Sequence, residues 1–288
     1  MGLPAQAQSS RFCDQRRELS ASTKDHLLRF SAAVKDALDA SGRPLALVSR
    51  SGLDLSRFHV RYSHAGIALK HSPNTPWSVR QLYYACDEDK PRLFDEGMAG
   101  FVLGTDNPAL GFVSVVLLPP GDAGRALERA ALDNASALRL LGADYSANAY
   151  AFSTRYQNCN QWLIELLATA WNPAPPEPGG TQRARAQAQA WLQAQGYEPS
   201  EFHALWMMGL GAFIPWIHND DHPRADVANR VYRTSMPAAI EDFVRRQVPG
   251  ATRLEFCHTA GHIVVHRGWD ALADDCSAGA GDTVVPLD

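Results

Sequence analysis

The chain lacks several features that would have placed it quickly. No apolar stretch approaches the ~20 residues that a membrane-crossing helix needs; the longest runs resemble Gly111-Phe112-Val113-Ser114-Val115-Val116-Leu117-Leu118. No charge of one sign dominates, with 27 Lys and Arg against 31 Asp and Glu and a net charge of −4, which argues against a nucleic-acid surface. Hydrophobic residues make up 45% of the 288, too many for a disordered chain and enough for a substantial core. No internal repeat is present, so no solenoid is expected. The body is expected to be soluble. Cysteine is scarce, at five residues, and Ala5-Gln6-Ala7 has the small-x-small form of a signal-peptidase site, expected as the remnant of a secretory signal already removed.

In an exported protein an odd cysteine count leaves at least one thiol unpaired. Cys159 is the natural candidate. The other four then pair, with Cys13–Cys86 and Cys257–Cys276 preferred by chain order among three connectivities.

Periodicity gives a first helix over 20–40, with Leu27, Leu28, Ala32, Val34 and Leu38 at helical spacing and Ser22 or Thr23 available as cap. Leu45-Ala46-Leu47-Val48 reads as a buried strand, followed by a Ser-Gly turn and a strand around His64. Trp77 to Tyr84 is its expected antiparallel neighbour, and Met98–Leu103 and Gly111–Leu118 are two more expected strands. Arg125–Leu141 is expected to be helical, and Cys159 opens an apolar helix ending at Trp171-Asn172-Pro173. Pro173 to Gly180 is the clearest linker. Beyond it come expected helices at 181–195 and 236–247, the second started by Ser235 with Pro237 in its first turn, and an apolar segment over 202–213. A hairpin joins Arg253–His258 to His262–Arg267.

A thiol at a helix N-terminus feels unpaired backbone N–H groups and the positive end of the helix dipole, both of which favour thiolate. His64 lies mid-strand upstream of it, on a period-two face with Tyr62, Gly66 and Ala68 whose small members leave room for a helix end. Together Cys159 and His64 have the parts of a nucleophile and its general base and acid.

Tyr62-Ser63-His64-Ala65-Gly66-Ile67-Ala68 followed by Asn158-Cys159-Asn160-Gln161-Trp162-Leu163 resembles the His-before-Cys order of circularly permuted NlpC/P60-type, papain-like cysteine hydrolases. More narrowly, Ser51-Gly52-Leu53-Asp54-Leu55-Ser56-Arg57, Arg61-Tyr62-Ser63-His64-Ala65-Gly66 and Arg155-Tyr156-Gln157-Asn158-Cys159-Asn160-Gln161-Trp162 resemble a bacterial family of unknown function, DUF2145. The resemblance to the permuted group covers about residues 45–171. It implies an antiparallel sheet packed on the cysteine helix, a catalytic histidine on the first strand and a third polar residue on the next. Envelope peptidases, amidases and lipid acyltransferases all belong to that group.

Gln81, on the neighbouring strand, is the expected third group because its amide can accept a bond from the His64 ring and fix its tautomer; His71 is the alternative, and Arg80 offers no acceptor. The Cys159 N–H is the first oxyanion donor, with Tyr62 or Gln157 as side-chain contributors. His218-Asn219-Asp220-Asp221-His222 has ligand-type residues but is bracketed by Pro215 and Pro223, so a hydrogen-bonding loop is expected there rather than a metal site. His258, His262 and His266 are read as a semi-exposed sheet face, and Trp206, Phe213 and Trp216 as core.

The sequence thus gives an α+β fold with a papain-like core over 20–172, a tail over 1–19, a linker over 173–180 and a C-terminal α/β extension over 181–288 that packs on the core. The expected function is an exported, periplasmic or secreted cysteine hydrolase that uses Cys159, His64 and Gln81 without cofactor or metal on an amide or ester of the cell envelope. Peptidoglycan peptide is the first substrate class, and no nucleic-acid partner is expected. The alternatives are a lipid or lipoprotein acyl hydrolase or acyltransferase of the same fold, and a non-catalytic envelope binding module.

Overall fold

Eight antiparallel strands form the frame, and the computed structural model describes them within residues 18–53, 55–85, 87–203 and 216–287. Helix α1 (Ala21–Ala40) begins at Ser20, whose Oγ accepts from the Thr23 amide at 3.1 Å, so the cap lies just upstream of the expected Ser22 or Thr23. Then come β1 (Leu45–Arg50), β2 (His64–Leu69), β3 (Ser78–Ala85) and β4 (Lys90–Glu96). Strand β4 carries no apolar alternation, because Lys90, Pro91, Arg92, Asp95 and Glu96 are what an edge strand carries.

Met98–Leu103, expected as a strand, is helix α2: Gly97 caps it, and Met98, Phe101 and Val102 recur at helical spacing on its buried face. Next are β5 (Gly111–Leu117), α3 (Asp122–Leu132), α4 (Asn134–Arg139), β6 (Asp144–Tyr145), β7 (Tyr156–Gln157) and α5 (Cys159–Trp171). After the linker follow α6 (Thr181–Ala194), β8 (Ser200–His203), α7 (Arg224–Ala228), β9 (Val231–Thr234) and α8 (Pro237–Gln247). Met236, not Ser235, is the N-cap of α8, with Pro237 in its first turn. The chain closes with β10 (Thr252–His258), β11 (His262–Arg267) and β12 (Thr283–Pro286). Most of the expected 202–213 segment, including Trp206 and Phe213, lies outside the described residues.

The sheet runs β12-β11-β10-β5-β1-β2-β3-β4, so residues beyond the linker supply three of its eight strands. Period-two alternation splits its side chains between two cores. Leu45, Leu47, Ala65, Ile67, Leu69 and Leu82 pack against α3, α5 and α8 through Leu127, Trp162, Leu166 and Phe243. Ala46, Val48, Ala68, Val79, Val113 and Val115 face α1 and α2 through Phe30, Val34 and Phe101. Burying both faces explains why β1, β2 and β5 read as continuous apolar runs rather than alternating ones.

A disulfide joins Cys257 to Cys276 with Cα atoms 5.7 Å apart, fastening β10 to the segment after β11. Cys13 and Cys86 both lie outside the described residues, and Cys159 is a free thiol. Among the described residues no helix is long and apolar enough to cross a membrane.

Candidate active site

Asn158 sets the start of α5. Its Oδ1 accepts from the Gln161 amide at 2.7 Å and its Nδ2 donates to the Ala147 carbonyl at 3.3 Å, which places Cys159 in the first turn. The approach to that turn is strapped by a buried ion pair. Glu165 Oε2 accepts from Arg185 Nε at 2.8 Å and from Gln157 Nε2 at 2.7 Å, and its Oε1 accepts from Gln189 Nε2 at 2.6 Å. Arg185 in turn donates to the carbonyls of Thr154 and Tyr156, both at 2.8 Å. In the same turn, Asn160 Nδ2 donates to the Ser63 carbonyl at 3.1 Å and so ties the cysteine helix to the residue before His64.

Cys159 and His64 line one cavity of about 170 Å³ at the ends of β1 and β2, together with Arg50, Tyr83, Tyr145 and Asn160. The thiol and the ring share this space without a direct hydrogen bond. They also reach it from different sides. The face that His64 shares with Gly66 and Ala68 was expected to receive a helix end; instead it packs toward β3 and α2, while α5 lies on the opposite face against Ala65 and Ile67. Gly66 serves the β3 contact: a Cβ there would lie 2.6 Å from Val79 Cγ1 and 3.2 Å from Gln81 Cβ.

That close approach brings Gln81 to the ring. Gln81 Oε1 lies 2.7 Å from His64 Nε2, and Gln81 Nε2 donates to Glu96 Oε2 at 2.9 Å. The polarity of this chain is fixed from its far end, because a carboxylate oxygen accepts. The amide nitrogen of Gln81 must face Glu96, its oxygen must face the ring, and His64 must carry its hydrogen on Nε2. In the neutral ring the lone pair is then on Nδ1. Glu96 carries no motif in the sequence, like the rest of β4; the β3–β4 register places it opposite Val79, diagonal to Gln81 on the same face. Tyr83 stacks on the ring with centroids 4.4 Å apart and planes inclined by 16°.

The helix end does not make a resting thiolate. Burial pushes the Cys159 thiol up to about 11, against the opposing pull of the Asn160 amide, the Arg50 charge and the amides of Cys159 and Ala65. Burial also drives the His64 ring down to about 3, helped by the positive charge of Arg50 and opposed by the bond to Gln81. At neutral pH the resting pair is therefore thiol and neutral imidazole. The expectation of a favoured thiolate counted the helix dipole and not the desolvation that outweighs it.

Other expected contributors are engaged elsewhere. Tyr62 gives its hydroxyl hydrogen to Glu255, and Gln157 accepts from the Gly142 amide at 2.7 Å while donating to Leu140 O and Glu165, so neither is an oxyanion donor here. His71 pairs with Glu128 at 2.8 Å on the surface, and Arg80 is held by Asp95 at 2.6 and 2.7 Å. In the 218–222 segment, His222 Nε2 donates to Asn148 O at 2.8 Å and Asp221 accepts from the Tyr150 amide at 2.9 Å, which makes it a fastening loop. His258 packs on Phe30 with ring centroids 4.5 Å apart, His262 lies 3.1 Å from Thr259 Oγ1, and His266 pairs with Asp282 at 2.7 Å.

The profile of the family described as "Uncharacterized protein conserved in bacteria (DUF2145)" matches residues 37–244, and the chain belongs to that family. No curated protein and no solved structure matches it. The matched span contains Arg50, His64, Gln81, Glu96 and Cys159, and also wall residues of the cavity that follow the linker, such as Phe202, Thr234 and Met236.

Proposed function

We propose that this DUF2145 member is an exported cysteine hydrolase with a papain-like site, in which Cys159 is the nucleophile, His64 the general base and acid, and Gln81 the group that orients the ring. The observation that carries the proposal is the free thiol at the first turn of α5 sharing a cavity with a histidine whose tautomer is set by Gln81 and Glu96. Because the resting pair is neutral, the thiol is activated as it attacks. Nδ1 takes the S–H proton while sulfur bonds to the carbonyl carbon of an amide or ester. Collapse of the tetrahedral intermediate breaks the C–N or C–O bond, and the imidazolium returns the proton to the leaving amine or alcohol. Water, deprotonated by the same ring, then releases the acyl group from the thioester. The Cys159 N–H is the first donor to the developing oxyanion.

The Cys257–Cys276 disulfide supports an oxidising compartment and hence an envelope substrate, with peptidoglycan peptides as the first class. The apolar wall formed by Leu53, Leu55, Phe58 and Phe202 supports the second, a lipid or lipoprotein acyl group. A non-catalytic binding module of the same fold is favoured by the raised thiol and the missing direct bond to His64. Incubation with stem peptides and with fatty-acyl esters, using Cys159→Ala as control, separates these readings. Release of product by the wild type alone supports the hydrolase. A thiol that electrophiles do not modify, with no turnover of either class, supports the binding module.

A further inference from the structure

Arg50 is the cavity residue that the thiol chemistry leaves without a task. It ends β1, sits opposite His64 in the β1–β2 register and is 4% exposed. Its Nη2 donates to the Tyr83 hydroxyl, and its guanidinium carbon lies 5.5 Å from the centre of the Phe101 ring. Its Nε and Nη1 have no hydrogen-bond partner, and among the described residues no carboxylate forms an ion pair with it. A guanidinium keeps its charge when buried, so an unmatched one is costly unless something supplies the missing anion.

The surrounding backbone makes room for the guanidinium at the cavity wall. A Cβ on Gly52 would lie 2.6 Å from Nη1, and one on Gly104 would lie 2.5 Å from Nη2; both glycines line the cavity with Arg50. One acceptor is left over in the same cavity, the buried Oδ1 of Asn160, whose amide nitrogen is committed to Ser63. The empty valences of this space are thus cationic N–H donors on one side and a neutral carbonyl oxygen on the other.

We infer that Arg50 is an anion subsite that holds a carboxylate of the substrate beside the bond attacked by Cys159, with Asn160 Oδ1 accepting an N–H from the same molecule. This rests on the cysteine hydrolase proposed above and narrows its substrate to carboxylate-bearing amides, that is, peptides or acylated amino acids. A carboxylate cancels the single charge of Arg50. A phosphate dianion would leave net negative charge in the same desolvated space. A simple fatty-acyl ester would use neither Arg50 nor Asn160.

Iodoacetate and iodoacetamide share a leaving group and differ in charge, so they test the subsite without a known substrate. Alkylation of Cys159 by each is followed by peptide mass mapping at mildly alkaline pH, and the ratio of rates is normalised to that for glutathione. The normalised ratio should favour iodoacetate by at least about tenfold, as a charge-assisted contact would give. Arg50→Gln should bring it to unity, and Arg50→Lys should retain part of it. In the wild-type protein, which needs no folding control, N-acetylglycine should slow the iodoacetamide reaction and N-acetylglycinamide should not. Labelling of Cys159 with a normalised ratio of one overturns the subsite and leaves the thiol reading standing. Protection by inorganic phosphate stronger than by N-acetylglycine overturns the carboxylate assignment. Failure of both reagents to modify Cys159 removes the thiol reading and the subsite with it.

Discussion

His64 and Cys159 are both held in their uncharged forms by burial, which makes their protonation a matter of stability as well as chemistry. The ring's folded value, about 3, lies below its ordinary 6.5, so the folded state resists a proton that the unfolded chain accepts. This contribution is fully present above pH 6.5 and is lost as pH falls toward the folded value. Urea unfolding of wild type and His64→Gln at neutral and acidic pH reads it: the wild type should lose about 2 kcal/mol more than the variant between pH 7 and pH 5, at roughly 1.4 kcal/mol per unit once the unfolded ring is protonated. Equal losses would place the ring in water. The role of Cys159 was suggested by its position at the start of an apolar helix, whereas its protonation state was not legible, because desolvation comes from packing by Ala65, Tyr145 and neighbours remote in sequence. Arg50 gave no sign at all beyond being a charge at the end of an apolar strand.

At the scale of elements, the site is the product of two attachments. Strand β4 brings Glu96 to Gln81 and so fixes His64; the strap through Glu165 and Arg185 fixes the chain entering α5. Gln81→Ala and Glu96→Ala should each lower the rate of Cys159 chemistry by about 10- to 100-fold. ¹⁵N NMR should find His64 as the Nε2–H tautomer in the wild type and as a mixture in both variants. An unchanged tautomer would make the Gln81–Glu96 pair merely structural. Glu165→Ala leaves Arg185 charged and unpaired in the interior and should cost about 3–5 kcal/mol in denaturant unfolding; a loss below about 1 kcal/mol, the worth of a surface pair, would contradict the strap. The hairpin of β10 and β11 and helices α1 and α5 were legible from periodicity and caps. Helix α2 was not, since a six-residue run that is apolar at all positions but Gly100 fits either period, and β4 was hidden by its edge-strand charges.

Across the whole molecule, the segments before and after the Pro-rich linker are woven into one sheet, and the cavity takes wall residues from both. That weaving is non-local and left no periodic trace in the sequence. The Cys257–Cys276 bridge spans 19 positions, and its removal in Cys257→Ala/Cys276→Ala should cost about 3 kcal/mol of stability. Non-reducing peptide mapping should find this pair bonded and Cys159 free. The most direct test of the account is the pH dependence of Cys159 alkylation by iodoacetamide in wild type and in His64→Ala. With the thiol pushed up to about 11, thiolate alone should make the variant's rate climb roughly tenfold per pH unit through the neutral range. The wild type should react faster near neutral pH, where Nδ1 can take the proton during attack, and the two profiles should converge as pH approaches the thiol's own value. Superimposable profiles across the whole range would contradict the pairing of Cys159 with His64.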